Sequence, residues 1–189
     1  MLITNKSKRK IVMSFLNISA QQDINTISTN DIIDNANISR GTFYNHFKNK
    51  IDIVHFIEEN ISESLDAEFD SVDKGNSNFF HILTENVFPI VYDDREYIKV
   101  LYKFYEPELF SFLQSHYEKF LIPYFDHYDE NKVGIPKYFT LSFFFRVILD
   151  AIMAWISQPI PIPTEEFRKI FYKLINNSMT EICGIVIRE

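Results

Sequence analysis

Apolar residues recur every three or four positions along almost the whole chain, the spacing that places side chains on one face of an α-helix. The first stripe lies within residues 5–20. A short helix is predicted after Ser28, a shorter one after Ser39, and a longer one from about Lys50 to Phe69. Further helices are predicted over residues 79–91, 94–105, 107–128, 136–157 and 164–188. Glycine is scarce and no Asn-Gly or Asp-Gly hairpin signal occurs, so we predict an all-α fold.

The two short helices have well-marked ends. Ser28 and Asp31 have the spacing of a capping box, in which each residue satisfies a free amide of the helix start. Asn37 follows the first short helix, and asparagine tolerates the left-handed conformation that often ends a helix. Ser39 is a suitable cap for the next helix. The order of helix, short helix, three-residue turn and shorter helix is that of a helix-turn-helix.

The second short helix and its flank carry more polar groups than packing requires. Phe43 and Phe47 lie four apart and can anchor the helix to a core. Most other positions between Arg40 and Lys50 are cationic or can form hydrogen bonds, which favours contact with a nucleic acid. The candidate DNA-binding residues are Ser28, Thr29, Ser39, Arg40, Gly41, Thr42, Tyr44, Asn45, His46 and Lys50.

Individual roles follow from the chemistry of the major groove. Arg40 is expected to pair bidentately with a guanine, and Thr42 to touch a thymine methyl group. Gly41 allows the backbone to approach closely, whereas Asn45 faces either a base or water. Phosphate contacts are expected from Tyr44, His46 and Lys50. Lys50 also opens the long helix, whose N-terminal amides attract phosphate.

The charge distribution supports this interpretation, although the whole chain carries −7. Residues 1–50 hold seven Lys and Arg against three Asp, a net charge of +4, so residues 51–189 must carry −11. A basic head on an acidic body marks the head as the part that binds a polyanion. The cationic cluster at residues 6–10 either touches phosphate or is simply solvated. Without a DNA role, the short basic helix would be a solvated face of an ordinary bundle.

Residues 29–50 resemble the signature of the TetR (TetR/AcrR) family of transcriptional regulators, in which a helix-turn-helix precedes an aromatic-x-x-aromatic element ending in Lys. The resemblance covers about residues 8–55, with Asn37 where the family usually has Gly. It implies an all-helical homodimer with a variable C-terminal ligand-binding domain and ligand-controlled release of DNA. We therefore predict a DNA-binding domain over residues 1–50 and a regulatory and dimerisation domain over residues 51–189, joined by the helix Lys50–Phe69.

The last two predicted helices are candidates for the dimer interface. The last helix has a broad apolar stripe, and the helix before it is apolar on every side, so both need extensive cover. In TetR-like proteins two such helices from each subunit form a four-helix interface, which would place two recognition helices on a palindromic operator. Alternatively, both helices are internal core. The candidate interface residues are Phe145, Leu149, Ile152, Trp155, Phe171, Leu174, Ile175 and Ile182.

Residues 79–128 are dense in Phe and Tyr, which suits either a cavity for a small apolar or aromatic effector or simple core filling. Polar groups nearby would orient such a ligand. Arg146 and Asp150, four apart, more simply form an ion pair on one helix. The candidate ligand-binding residues are His81, Tyr102, Tyr105, His116, Tyr117 and Arg146.

Several classes of function lack their signals in the sequence. The five histidines have no metal-ligand spacing, and no phosphate-binding loop or nucleophile elbow occurs, so we expect no enzyme activity, no metal and no cofactor. Cys183, the single cysteine, fits a reducing cytosol. The apolar stretch at residues 138–156 contains Arg146 and Asp150, which favours a buried helix of a cytoplasmic protein over a membrane span.

These observations predict a dimeric regulator that binds double-stranded DNA, a repressor released by a small effector in the C-terminal domain. The alternative is a TetR-like co-regulator whose C-terminal domain binds a protein partner instead.

Overall fold

The computed structural model describes residues 3–73 and 78–184, apart from the side chains of residues 71–73, 105–108 and 179. The predicted all-α fold is confirmed, since this part of the chain contains helices and no strand. Short 3₁₀ turns occur at residues 24–26, 118–120 and 122–125. The helices are α1 (Lys6–Ser19), α2 (Thr29–Ala36), α3 (Arg40–Tyr44), α4 (Lys50–Asp73), α5 (Phe79–Ile82), α6 (Phe88–Asp93), α7 (Arg95–Tyr117), α8 (Glu130–Val133), α9 (Lys137–Ile156), α10 (Thr164–Asn176) and α11 (Met179–Cys183).

The head is formed by α1, α2, α3 and the start of α4 around one apolar core. Ile11, Val12 and Phe15 of α1 are fully buried there, as is Ile32 of α2. A polar contact reinforces the packing, because the buried hydroxyl of Ser14 donates a 2.9 Å hydrogen bond to the Ile32 carbonyl. Burial of one apolar face of each helix therefore fixes the positions of α1 and α2.

Three predictions about the ends of α2 and α3 are confirmed. Ser28 and Asp31 form a reciprocal capping box, in which hydrogen bonds from the Ser28 hydroxyl and amide hold the pKa of Asp31 below its usual value. Asn37 adopts the left-handed conformation, with φ 49° and ψ 59°. The Ser39 hydroxyl accepts a hydrogen bond from the Thr42 amide at 3.0 Å. The turn between α2 and α3 is thus set by local chemistry.

Residues 79–93 form an almost continuous helical rod, the rod 79–93, with a widened turn in the middle. Between α5 and α6, Leu83–Val87 adopt a π-helical turn. Pro89 follows at the start of α6 and has no amide hydrogen to donate to the preceding turn, which accounts for the disturbed hydrogen-bond ladder. Leu83 and Val87 are buried, so the widened turn faces the interior of the body.

Several predicted helix boundaries in the body are wrong, including the end of the helix predicted over residues 107–128, which stops at Tyr117. Pro107 was expected to start a helix, but α7 runs through it from Arg95 to Tyr117, so packing of the long helix outweighs the one backbone hydrogen bond that proline removes. The last helix was expected to reach residue 188. It ends instead at Asn176, and an extended Asn177 precedes α11, which Ser178 starts with its own capping box. Residues 185–189 lie outside the described part of the chain.

An aromatic cluster joins α6, α9 and α10. Trp155 stacks on Phe167 with ring centroids 4.1 Å apart, and Phe88 contacts the rings of Phe167 and Phe171 at 5.0 and 5.1 Å. The Trp155 indole also donates a 2.8 Å hydrogen bond to the carbonyl of Ile162, which holds the proline-rich segment 158–163 against α9. This cluster forms the core of the C-terminal half of the body.

Several residues of the predicted dimer interface lie in or beside this aromatic cluster, inside the subunit. Phe145, Ile152, Trp155 and Phe171 are buried inside their own subunit, where α9 and α10 pack against α6 and α7. Leu149, Leu174 and Ile175 are half-buried, and Ile182 is exposed. The large apolar side chains that α9 and α10 leave exposed are others, namely Tyr138, Phe139, Phe143, Ile170 and Tyr172.

Helix α9 is long and apolar enough to cross a membrane by length and composition. In the structure it instead contributes the buried side chains of Leu141, Phe145 and Ile148 to the body. Arg146 and Asp150 form the predicted ion pair on the same helix, with Nε and Oδ2 3.2 Å apart. These features are those of a core helix in a helical domain.

Candidate DNA-binding face and regulatory cavity

The leading end of α3 projects from the head with its polar groups exposed. Arg40 is exposed and makes no hydrogen bond or ion pair with any residue the structure describes. Gly41 is exposed too, and a Cβ there would meet only the Ser39 hydroxyl at 3.8 Å, an ordinary contact. The fold therefore leaves room for a side chain at position 41. The half-buried Thr42 hydroxyl lies 2.9 Å from that of Ser39, so it is engaged with the cap.

The opposite side of α3 is anchored by aromatic side chains. Phe43 is fully buried, and Phe47 packs edge-on against Phe56 of α4 at 5.7 Å. Tyr44, between these anchors, is 58% exposed and directs its ring outward. The ammonium of Lys8 lies 4.0 Å from the centre of the Phe56 ring, which favours a cation–π role for this member of the 6–10 cluster. The helix thus has a buried apolar side and an exposed polar side.

Lys50 has acceptors within the head. Its ammonium donates hydrogen bonds of 2.9 and 2.7 Å to the carbonyls of Ile24 and Asn25, in the turn between α1 and α2. The phosphate contact expected of this residue stays a prediction. The nearby amides of Ile51 and Asp52 bond to the side chain of Asn49, so they are already capped. Sequence reasoning missed these contacts, because the acceptors are backbone atoms about 25 residues away.

Replacing Lys50 by methionine, which keeps the length of the side chain, is expected to destabilise the head. Loss of two hydrogen bonds from a half-exposed charged group should cost about 1 kcal/mol, which lowers Tm by about 2–4 °C in a chain of this size. The measurement is thermal unfolding followed by circular dichroism, with Lys48→Met as the control because Lys48 is exposed. An unchanged Tm for Lys50→Met, with a salt slope of DNA binding reduced by about one, would return this residue to a phosphate-binding role.

The other predicted DNA-binding residues of the head differ in their surroundings, and one of them caps a helix. The Ser28 hydroxyl is committed to Asp31, donating to its carboxylate at 2.7 Å. Thr29 and His46 are half-buried, and Asn45 is exposed just after α3. The structure therefore brings Arg40, Gly41, Tyr44 and Asn45 together as an exposed set around α3.

The body contains an apolar cavity of about 130 Å³ enclosed by α4, the rod 79–93, α7 and α9. Ile61, Leu65 and Phe69 of α4 line one side of it. The sequence predicted the helix Lys50–Phe69, but not that its second half forms a cavity wall. The π-helical turn lines another side through Leu83 and Val87, and such turns are frequent at functional sites.

Three of the predicted ligand-binding residues line this cavity: Tyr102, Tyr117 and Arg146. His81 does not line this cavity and lies instead in an exposed groove at the start of α5. His116 is also outside the lining, because its ring faces Asp66 of α4 at 3.0 Å on the surface. The side chain of Tyr105 is outside the described residues.

Two sets of contacts connect the cavity walls to each other and to the head. The buried hydroxyl of Tyr117 donates a 2.9 Å hydrogen bond to Asp66, which joins α7 to α4. Burial, together with this bond, raises the pKa of Tyr117 far above its ordinary value, so its hydroxyl stays protonated. Helix α7 also touches α1, where the Lys103 ammonium lies 3.4 Å from the carbonyl of Ser19. Movement of either cavity wall can therefore reach the head.

Comparison with known proteins agrees with this architecture. Residues 16–56 match the family described as bacterial regulatory proteins, tetR family, and residues 77–177 match the transcriptional regulator C-terminal region TetR_C_8. No curated protein sequence matches the chain.

Two solved structures share the fold. One is a TetR transcriptional regulator from Streptococcus agalactiae 2603V, with a TM-score of 0.57, 21% identity, and coverage of 91% of this chain and 94% of the other. The second is assigned to the TetR family and comes from Syntrophomonas wolfei str. Goettingen, with a TM-score of 0.52, 18% identity, and coverage of 97% and 98%.

Proposed function

Since the chain belongs to the TetR family of bacterial transcriptional regulators, we propose that it is a dimeric, sequence-specific repressor in the cytoplasm, released from DNA by a small molecule in the cavity. Residues 1–50 are the DNA-binding domain and residues 51–189 the regulatory and dimerisation domain. The observation that carries the proposal is α3, whose aromatic side is buried while Arg40 and Tyr44 face outward. A helix held this way can enter a major groove with its polar side toward the bases.

The exposed apolar residues of the body support a dimer. Phe139 and Phe143 are more than half exposed, one turn apart on α9, and Ile170 is exposed on α10. Aromatic side chains left on a surface in this way favour contact with another protein surface. A two-fold pair of subunits would then present two copies of α3 to two half-sites of a palindromic operator.

The cavity favours a small effector over a protein partner. Ile61, Leu65 and Phe69 of its wall belong to α4, and the same helix begins at Lys50, which is bonded to the turn between α1 and α2. A ligand that displaces α4 would carry the head with it and change the separation of the two α3 helices. Because half-sites lie about one DNA turn apart, a shift of a few ångströms weakens binding at both.

The test is selection of fragments bound by the protein from its source genome, followed by measurement of the number of chains per bound fragment. We expect recovered fragments to share a palindromic sequence and to carry two or four chains. Recovery of unrelated fragments, or binding by a single chain, would contradict a sequence-specific dimer.

Replacing Gly41 by alanine is expected to weaken operator binding without harming the fold. The structure has room for the added methyl group, and alanine favours a helix over glycine by up to about 1 kcal/mol, so Tm should stay constant or rise. On DNA, the methyl group would hold the backbone away from the groove. The two measurements are Tm by circular dichroism and operator affinity by fluorescence anisotropy. Unchanged affinity would exclude close approach of α3 at this position.

A further inference from the structure

The lining of the cavity restricts the chemistry of the effector, an argument that rests on the regulatory role proposed above. Four lining residues have polar side chains, Tyr102, Tyr117, Arg146 and Asp150, and the other described lining residues are apolar. The Tyr117 hydroxyl is used by Asp66, and Tyr102 also borders a surface groove beside α1. The enclosed part of a ligand therefore meets aliphatic and aromatic side chains.

The polar end of the cavity is formed by one ion pair of α9. Arg146 is 41% exposed and Asp150 54%, so this pair lies where the cavity meets solvent. The Arg146 guanidinium lies 4.4 Å from the centre of the Phe110 ring on α7, a cation–π contact that holds it between α7 and α9. A ligand inserted between α7 and α9 would keep its outer end beside this guanidinium.

Arg146 has hydrogen-bonding capacity left for such a ligand. Its contact with Asp150 uses Nε, and an arginine carries five N–H donors in a planar fork. Among the residues that the structure describes, no second carboxylate pairs with Arg146, so its Nη groups are open to an anion. A planar carboxylate matches this fork with two parallel hydrogen bonds.

The size and shape of the cavity favour a chain over a fused ring system. An apolar cavity of about 150 Å³ is known to hold one benzene molecule, so about 130 Å³ accommodates about six carbon atoms. The lining residues Ile61 to Phe69 of α4 and Phe145 to Met153 of α9 each extend over about 12 Å of helix. A cavity of about 130 Å³ that extends along about 12 Å of helix is narrow, so it suits an extended chain.

We propose that the effector is a medium-chain carboxylate of about seven to nine carbons, its chain in the cavity and its carboxylate on the Nη groups of Arg146. Octanoate is the matching probe. Insertion of the chain would press on Ile61, Leu65 and Phe69, the part of α4 nearest to it.

The test compares octanoate, 1-octanol and octylammonium by isothermal titration calorimetry on the full chain, at concentrations below their aggregation limits. Octanoate should bind at least tenfold more tightly than the other two, and each methylene from hexanoate to octanoate should improve binding about fourfold. Arg146→Gln should remove the preference for octanoate, and Arg146→Lys should restore part of it. Circular dichroism of each variant verifies that it is folded.

Other outcomes overturn the inference. Equal binding of octanoate and 1-octanol, unaffected by Arg146→Gln, would indicate a neutral apolar ligand. Tighter binding of octylammonium than of octanoate would indicate a cationic ligand that pairs with Asp150. No binding by any probe would exclude a chain of this class, and operator binding measured in parallel by anisotropy would show whether the DNA-binding function stands without it. If octanoate bound tightly but did not change the affinity of the protein for its operator, the ligand class would be supported. The proposed role of the ligand in releasing the protein from DNA would be contradicted.

Discussion

Replacing Arg40 by alanine is expected to weaken operator binding by about 2–6 kcal/mol per dimer, which corresponds to about 30-fold to about 10⁴-fold in affinity. Arg40 is exposed at the start of α3, and a bidentate arginine–guanine contact contributes about 1–3 kcal/mol. In a symmetric dimer the contact is lost twice. Sequence preference should also relax at one base pair in each half-site. Fluorescence anisotropy with the selected operator and with single-base variants measures both effects.

The control is Lys132→Ala, which removes one positive charge from the exposed α8, distant in sequence from the head. The operator affinity of Lys132→Ala should stay within a factor of about two of that of the wild type. If Arg40→Ala lost affinity equally for every base at every position, Arg40 would be a phosphate contact and not a base contact.

Replacing Phe171 by alanine is expected to destabilise the body by about 3–5 kcal/mol. Its ring is fully buried and contacts Phe88 at 5.1 Å inside the aromatic cluster, so the substitution leaves a cavity. Tm should fall by about 6–20 °C in a chain of this length. Thermal and urea unfolding measure the effect.

Phe143→Ala is the matched control, since the same atoms are removed from a ring that is 62% exposed. The fold of the subunit should change little, while sedimentation should show weaker dimerisation. A large loss of dimer affinity for Phe171→Ala, with unchanged subunit stability, would restore Phe171 to the interface originally expected for it.

The head could be predicted from the sequence because its determinants are local. A serine three residues before an aspartate, an asparagine at a turn and a second serine each fix a few backbone groups, and all three features occur at Ser28, Asn37 and Ser39. The spacing of Phe43 and Phe47 likewise identifies the buried side of α3. Such signals need no knowledge of distant residues.

The body was predicted less well because its determinants are not local. An apolar stripe shows that a helix face is covered, but not whether its own subunit or a partner covers it. Phe145 and Trp155, which were predicted to contact a partner, are covered by their own subunit. The acceptors of Lys50 are carbonyls at positions 24 and 25, and no side-chain pattern indicates them. The cavity is likewise a property of how four elements fit together.

We propose that two copies of α3 read one operator through the major groove. The most direct test is interference by methylation of guanine N7, an atom exposed in that groove. We expect methylated guanines to block binding in two clusters about one helical turn apart, with Arg40→Ala abolishing the interference at one guanine in each cluster. Binding that is indifferent to guanine N7 methylation, or a single cluster that is unchanged in Arg40→Ala, would contradict the account.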